Sequence, residues 1–277
     1  LSLTPRATRS YGGSMVHTGF SSEVVWEVDP PADGDPRSLS AQLDAIGDVV
    51  DSVLVPDNHT GRATVSSIAV ARRVREHGLR PVACLNARDR NLLGLRRDLI
   101  TCAFEGVDDV LLVYGDDPSV GSRAGDLTVR QMLDECRTQA PQLRVGVTTR
   151  LSRVPQWKLS ADRLFVQVSY DLDAIRAWRD AVDFDGPVIP AVMVIPSVPM
   201  AERLAARVPE LRVPSPWLDA IASDPAAGTE LAIDLAERIL DTGEFAGVHI
   251  VSGRQHLATA ARLRSRSTSR SRCPVAV

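Results

Sequence analysis

Apolar residues along most of this chain fall in short runs separated by longer amphipathic segments. Eight of these runs are rich in Val, Ile and Leu, as expected of strands that are buried on both faces. They read VVWEV from Val24, SVLVP, PVACLNA, DVLLVYG, RVGVTT, RLFVQVSY from Arg163, PVIPAVMV from Pro187 and GVHIVSG from Gly247. The pattern therefore predicts eight β-strands.

The longer segments between the runs repeat apolar residues at the period of a helix. Three of them read TVSSIAVARRVREHG, NLLGLRRDLITCAFEG and TVRQMLDECRTQA, and the first two end at Gly78 and Gly106. Glycine commonly follows the last turn of a helix, because it adopts a left-handed backbone without a steric penalty. Strand and helix alternate along the chain, which predicts a parallel sheet covered by helices on both faces.

Eight strand and helix units in one chain predict a closed (β/α)8 barrel, the TIM barrel. The rival fold is a doubly wound open sheet, which usually has fewer strands and a glycine-rich phosphate turn after the first strand. Here the first strand ends instead at Asp29-Pro30-Pro31. We predict a single barrel over residues 23–264, preceded by a flexible segment over 1–22 and followed by a disordered basic tail over 265–277.

Composition indicates one water-soluble domain, because 44% of the 277 residues are hydrophobic and the net charge is only −3. No segment has the length and hydropathy of a membrane helix, so we expect no membrane association and a cytoplasmic protein. The body is mildly acidic and no aromatic residues lie among the arginines of the tail, which argues against nucleic acid as a partner. The oligomeric state is not readable from the sequence.

Cysteine and histidine positions show no spacing typical of a metal site. The chain contains no CxxC pair and no HExxH pair. We therefore predict no metal, and inert thiols on a strand, two helices and the tail. The cysteines concerned are Cys84, Cys102, Cys136 and Cys273.

Glu27 is the first candidate for chemistry, because it lies at the end of the first predicted strand. The proline pair that follows cannot continue the sheet, and the carboxyl ends of barrel strands form the active-site face. A structural role is the alternative, in which Glu27 caps a helix or pairs with an arginine. His59 and His249 also attract attention, but a lone histidine in a barrel is more often structural, and neither is placed in the catalytic set.

Three segments together resemble the methylenetetrahydrofolate reductase family. They read WEVDPP after strand one, NARDRNLLGLRRDLITCAFEGVDDVLLVYGDDP across strands three and four, and FVQVSYD on strand six. The family has a Glu followed shortly by Pro-Pro, a Gly-Asp that closes strand four, and a Gln within strand six. All three features occur here in that order.

The resemblance implies reduction of 5,10-methylenetetrahydrofolate to 5-methyltetrahydrofolate, with a role for each matching residue. Glu27, with its pKa raised by burial beside Trp26, would protonate the leaving nitrogen. Asp116, kept ionised by backbone N–H groups, would stabilise the iminium cation. Gln167 would orient the pterin ring, although it could instead satisfy a hydrogen-bond network in the barrel core. Asp117 is expected to shape the turn.

Departures from the family concern the cofactor. Flavin-dependent members have His-Leu-Thr at strand three and Tyr-Pro-Glu after strand five, whereas this chain has Cys84-Leu85-Asn86 and Val147-Thr148-Thr149-Arg150. Their long basic helix between strands five and six is replaced here by LSRVPQWKLSAD. The chain thus resembles the flavin-independent branch found in actinobacteria, which implies NADH as cosubstrate.

Three alternatives stay open beside the flavin-free reductase. The chain could be an FAD-dependent reductase with a rearranged site, a non-catalytic folate-binding barrel, or an unrelated barrel enzyme with chance motif matches. No GxGxxG follows a strand, so the sequence does not locate a nicotinamide site.

Overall fold

The computed structural model describes residues 22–270, with side chains as far as residue 266. Eight parallel strands form a closed barrel in the order β1-β2-β3-β4-β5-β6-β7-β8. They are β1 (Glu23–Glu27), β2 (Ser52–Val55), β3 (Arg80–Asn86), β4 (Asp109–Val113), β5 (Arg144–Thr149), β6 (Arg163–Val166), β7 (Val188–Met193) and β8 (Gly247–Val251). The prediction of a (β/α)8 barrel is confirmed, and each strand overlaps the apolar run that predicted it.

Helices connect the strands on the outside of the barrel. They are α1 (Pro36–Ile46), α2 (Ser67–Glu76), α3 (Leu92–Glu105), α4 (Val129–Gln139), α5 (Leu172–Ala181), α6 (Val198–Arg207), α7 (Ser215–Ser223), α8 (Ala227–Asp241) and α9 (His256–Arg270). Helix α3 begins after Asn91, whose side chain accepts a hydrogen bond from the Gly94 N–H at 2.8 Å, and ends at Gly106 with φ of +66°. None of the helices within residues 22–270 is long and apolar enough to cross a membrane.

The connection between β5 and β6 differs from the other crossovers. Residues 150–162 contain only a 3-10 turn, Gln156–Ser160, in place of an α-helix. Trp178 of α5 donates from its indole nitrogen to the carbonyl oxygen of Ser152 at 2.9 Å, which ties this connection to the next helix. The short segment therefore lies over the mouth of the barrel near the ends of β5 and β6.

Alternation along the strands divides the apolar residues into two layers. Trp26 and most other buried residues pack between the strands and the helices. A smaller cluster fills the inside of the barrel with side chains from six strands. Its buried members are Val25, Leu54, Val82, Cys84, Leu111, Phe165 and Ile189.

Charged residues close the opposite end of the barrel, where the strands begin. Arg163 has a side chain only 2% exposed, and it donates to Asp109 at 2.7 Å and lies 3.4 Å from Glu23. Arg144 also pairs with Asp109. Burial lowers the pKa of Arg163, and the charge of Asp109 opposes that effect. The stability of this end of the barrel thus depends on carboxylates that compensate the charge of a buried guanidinium.

Helix α9 corrects the predicted boundary of the tail. We expected disorder from residue 265, but the helix continues to Arg270. Arg264 pairs with Asp48 at 2.5 Å, and Arg266 pairs with Asp234 and Glu237 of α8. These ion pairs fix the first part of an Arg/Ser-rich stretch whose composition alone is typical of disorder. The segments 1–21 and 271–277, with Cys273, lie outside the described residues.

The thiols within the described residues are buried. Cys84 lies on β3, Cys102 on α3 and Cys136 on α4. Burial raises the pKa of both Cys102 and Cys136 to about 12. A thiol with so high a pKa carries little thiolate, so these side chains serve as packing groups.

Candidate active site at the carboxyl ends of the strands

A cavity of about 640 Å³ opens at the carboxyl ends of the strands. Its base is apolar and includes Phe165 and Leu111, while its rim carries charged and amide side chains. Glu27, Asp116 and Gln167 all line it. The three residues predicted from the sequence therefore meet in one cavity, whose size and mixed lining suit a small organic ligand.

Glu27 is the last residue of β1 and points into the barrel. Its side chain is 15% exposed, and its Oε2 atom lies 3.4 Å from Nε2 of His249 on the neighbouring strand β8. His249 also lines the cavity, and its ring meets the ring of Phe165 edge to face at 6.1 Å between centroids. A carboxylate and an imidazole thus form a close pair at the base of the cavity.

We expected burial to raise the pKa of Glu27 above its ordinary value, and this expectation is wrong. Burial does raise the pKa of Glu27, but the contact with His249 and the charges of His249 and His59 together lower it below its ordinary value. The side chain of Trp26 does not contribute to this burial. Successive side chains of a strand face opposite sides, and that of Trp26 packs against the outer helices. Glu27 is therefore held ionised by its histidine neighbours.

His249 is the functional candidate that the sequence reasoning left out. Its Nε2 atom is buried and has no well-aligned hydrogen-bond partner among residues 22–270, although it faces Glu27. The sequence GVHIVSG could have indicated this residue. Successive side chains of a strand face opposite sides, which places the polar side chain of His249 on the inner face of a buried strand. A buried imidazole without a good hydrogen bond is a costly arrangement that a purely structural residue would not need.

Asp116 lies on the exposed rim in the loop after β4. The backbone N–H of Thr60 donates to its Oδ2 atom at 2.8 Å, which is the kind of contact that we predicted for this carboxylate. The guanidinium of Arg88 donates to the carbonyl oxygen of Asp116 at 2.7 Å and fixes the backbone at the same place. The first contact holds the carboxylate and the second holds the backbone of this cavity-lining residue.

The loop that supplies the Thr60 N–H has an unusual backbone. Asn58 and Thr60 have φ of 50° and 57°, a left-handed conformation that side chains other than glycine rarely adopt. Gly61 has φ of 74°, and a Cβ atom there would lie 1.9 Å from the carbonyl oxygen of Asp117. Only glycine lets the two loops approach so closely. Such strain often occurs at binding sites, and here it brings the Thr60 N–H to Asp116.

The segment Arg88-Asp89-Arg90 supports these loops, with both arginines buried and Asp89 exposed. Arg88 donates to Asp89 at 2.5 Å and to the carbonyl oxygen of Asn58 at 3.3 Å. Arg90 pairs with Asp57 and with Asp98, and the contact to Asp98 is 2.9 Å long. The hydrogen bond from Arg88 holds the pKa of Asp89 well below its usual range. These contacts support a structural role for Asp89.

Gln167 follows β6 directly, because that strand ends at Val166, earlier than the predicted run. Its backbone N–H still donates to the carbonyl oxygen of Thr149 at 2.8 Å, so its position is fixed. The side-chain amide makes no hydrogen bond within the described part of the chain, and the alternative of a core network is not found there. An unpaired amide on a cavity wall is available to a ligand.

The wall across from Glu27 is basic. In the closed barrel β5 lies opposite β1, and the segment after it contributes Arg150, Arg153 and Lys158 to the cavity. The ammonium group of Lys158 donates to the carbonyl oxygen of Thr148 at 2.7 Å. Burial lowers the pKa of Lys158, and the charge of Arg150 lowers it further.

No protein-family model and no curated protein sequence matches this chain. A solved structure with a similar fold is described as an uncharacterised protein from Clostridium thermocellum that binds two copies of 5-methyl-5,6,7,8-tetrahydrofolic acid. The two chains are 14% identical, and the match covers 89% of this chain and 96% of that chain with a TM-score of 0.63. At this level of identity the similarity shows a shared barrel fold.

Proposed function

We propose that this protein binds a reduced folate in the cavity and reduces 5,10-methylenetetrahydrofolate to 5-methyltetrahydrofolate with NADH, without bound flavin. The observation that carries the proposal is the meeting of Glu27, Asp116 and Gln167 in one cavity. These are the residues that the family resemblance selects, and they come from three separate strand ends. A folate-binding protein of the same fold supports folate as the ligand class.

The first step opens the five-membered ring of the substrate and needs a proton on the departing nitrogen. Histidine is the side chain that ordinarily exchanges protons near neutral pH, and Nε2 of His249 is buried 3.4 Å from Oε2 of Glu27. We propose that the proton passes from His249 to Oε2 of Glu27 and then to the nitrogen. The lowered pKa of Glu27 makes it a strong donor once it is protonated.

The second step adds hydride to the iminium carbon that ring opening creates. The carboxylate of Asp116, oriented by the Thr60 N–H, stabilises the positive charge of this intermediate. Hydride from the reduced nicotinamide converts the iminium to a methyl group, and NADH becomes NAD⁺. The amide of Gln167 orients the pterin ring by hydrogen bonds to its polar edge.

Direct transfer from NADH is supported by the connection between β5 and β6. In the flavin-dependent members of the family that this chain resembles, a long basic helix connects these two strands. Here a 3-10 turn, Gln156–Ser160, takes its place. The second candidate function is a folate-binding protein without catalysis, which the binding of 5-methyl-5,6,7,8-tetrahydrofolic acid by the Clostridium thermocellum protein favours. It predicts folate binding with no consumption of NADH.

Gln167→Leu is expected to weaken binding of 5-methyltetrahydrofolate about tenfold, because hydrogen bonds between the amide and the pterin are lost. Titration calorimetry measures the dissociation constant. Gln142→Leu is the matched control, since Gln142 is exposed and does not line the cavity. Equal affinities for the two variants would remove Gln167 from the folate site. No binding by the unaltered protein would contradict the proposed function itself.

A further inference from the structure

We propose that Arg150, Arg153 and Lys158 form an anion subsite on the cavity wall opposite Glu27, which binds a phosphate or carboxylate group of the ligand. This inference rests on the proposed function for the identity of the ligand. The charges that define the subsite belong to the cavity whatever reaction takes place there.

Lys158 is the central residue of the subsite. It is the only lysine in the chain, and it lies in the 3-10 turn between β5 and β6. Its ammonium group contacts the Thr148 carbonyl oxygen at 2.7 Å and lies 5.5 Å from the centroid of the Trp157 ring, but it contacts no carboxylate within the described residues. A partly buried cation without a counter-charge is unfavourable, and an anion in the cavity would relieve that cost.

The two arginines add positive charge to the same wall of the cavity. Arg153 forms no hydrogen bond or ion pair with any residue from 22 to 270, and Arg150 pairs only with the exposed Glu210, at 2.8 Å. Acidic residues that line the cavity lie at the ends of β1 and β2 and after β4, at Glu27, Asp57 and Asp116. The cavity is therefore divided into an acidic side and a basic side.

This division fits a ligand that is cationic or proton-accepting at one end and anionic at the other. Two ligands of the proposed reaction carry oxyanions at a distance from the reacting atoms. One is the diphosphate of the dinucleotide, and the other is the glutamate carboxylates of the folate. Arginine and lysine bind both groups by charge-assisted hydrogen bonds, so the shared chemistry is an oxyanion.

A single lysine allows a direct test by chemical modification. The full-length protein is treated with acetic anhydride, and mass spectrometry follows acetylation of the Lys158 peptide, alone and with NADH, inorganic pyrophosphate, 5-methyltetrahydrofolate or the neutral carboxamide of tetrahydropteroate, which has neither the glutamate nor a free carboxylate. We expect an anion that occupies the subsite to slow acetylation at least fivefold. Protection by NADH and pyrophosphate identifies the diphosphate as the occupant. Protection by 5-methyltetrahydrofolate but not by the carboxamide of tetrahydropteroate identifies the glutamate carboxylates.

Equal protection by the carboxamide of tetrahydropteroate and by 5-methyltetrahydrofolate, with none by pyrophosphate, would mean simple steric cover and would overturn the subsite. The absence of protection by every ligand would overturn it as well. Lys158→Met is expected to weaken binding of the protecting anion about tenfold, whereas Arg212→Gln, at an exposed position outside the cavity, leaves it unchanged. If pyrophosphate protects Lys158 but the protein does not oxidise NADH, the result would support the anion subsite and contradict the proposed reaction.

Discussion

Glu27→Gln is expected to lower kcat for the reduction of 5,10-methylenetetrahydrofolate by a factor of about 10²–10⁴, the usual contribution of a positioned acid or base. Glutamine keeps the shape of the side chain but cannot carry a proton from His249 to the departing nitrogen. The contact between the two side chains, 3.4 Å between Nε2 and Oε2, is the route that the substitution removes. Folate affinity depends mainly on other contacts and is expected to change much less.

Steady-state kinetics with varied methylenetetrahydrofolate separate these effects, since the variant should lose kcat with little change in KM. Glu202→Gln is the matched control, because Glu202 is exposed on α6 and does not line the cavity. A Glu27→Gln enzyme with the kcat of the unaltered protein would exclude Glu27 from proton transfer. A rise in KM alone would make Glu27 a binding residue.

Asp109→Asn is expected to lower the free energy of unfolding by about 3–5 kcal/mol, the usual cost of breaking a buried ion pair. Asp109 is the nearest carboxylate to Arg163, whose side chain is only 2% exposed, and it also pairs with Arg144. Asparagine leaves the guanidinium buried with much of its compensating charge removed. The effect is therefore larger than that of losing an exposed pair.

Urea denaturation followed by circular dichroism measures this loss. Glu244→Gln removes the carboxylate of an exposed pair, Arg176–Glu244, and serves as the control with little expected change. Similar free energies of unfolding for the two variants would show that the buried ion pair between Arg163 and Asp109 does not stabilise the barrel. Because Asp109 lies at the amino end of β4, folate binding by the folded variant should be unaffected.

The strands of this fold were predictable because their signal is local. A parallel strand buried on both faces is a continuous apolar run, and each of the eight runs overlaps the strand that it predicted. The residue at which such a strand ends is harder to predict. Gln167 follows the last residue of β6, and its backbone N–H donates to the carbonyl oxygen of Thr149, yet it lies outside β6. Strand ends depend on how far the neighbouring strand extends.

Features that depend on contacts between distant segments could not be read from the sequence. The Arg/Ser composition of residues 265–270 predicts disorder, whereas helix α9 continues to Arg270 and Arg266 pairs with acidic residues of α8. The pKa of Glu27 is set by His249, which is far away in sequence and adjacent only after the barrel closes β8 against β1. The approach of Thr60 to Asp116 likewise requires two loops to meet.

The absorbance of NADH, followed while the purified protein acts on 5,10-methylenetetrahydrofolate without added flavin, tests the central claim most directly. We expect the NADH band to decay in proportion to the methylenetetrahydrofolate consumed, with 5-methyltetrahydrofolate as the product and no dependence on added FAD. Decay only after FAD is added would contradict direct hydride transfer. No decay under either condition, in a protein that binds 5-methyltetrahydrofolate, would contradict the reductase and leave a folate-binding barrel.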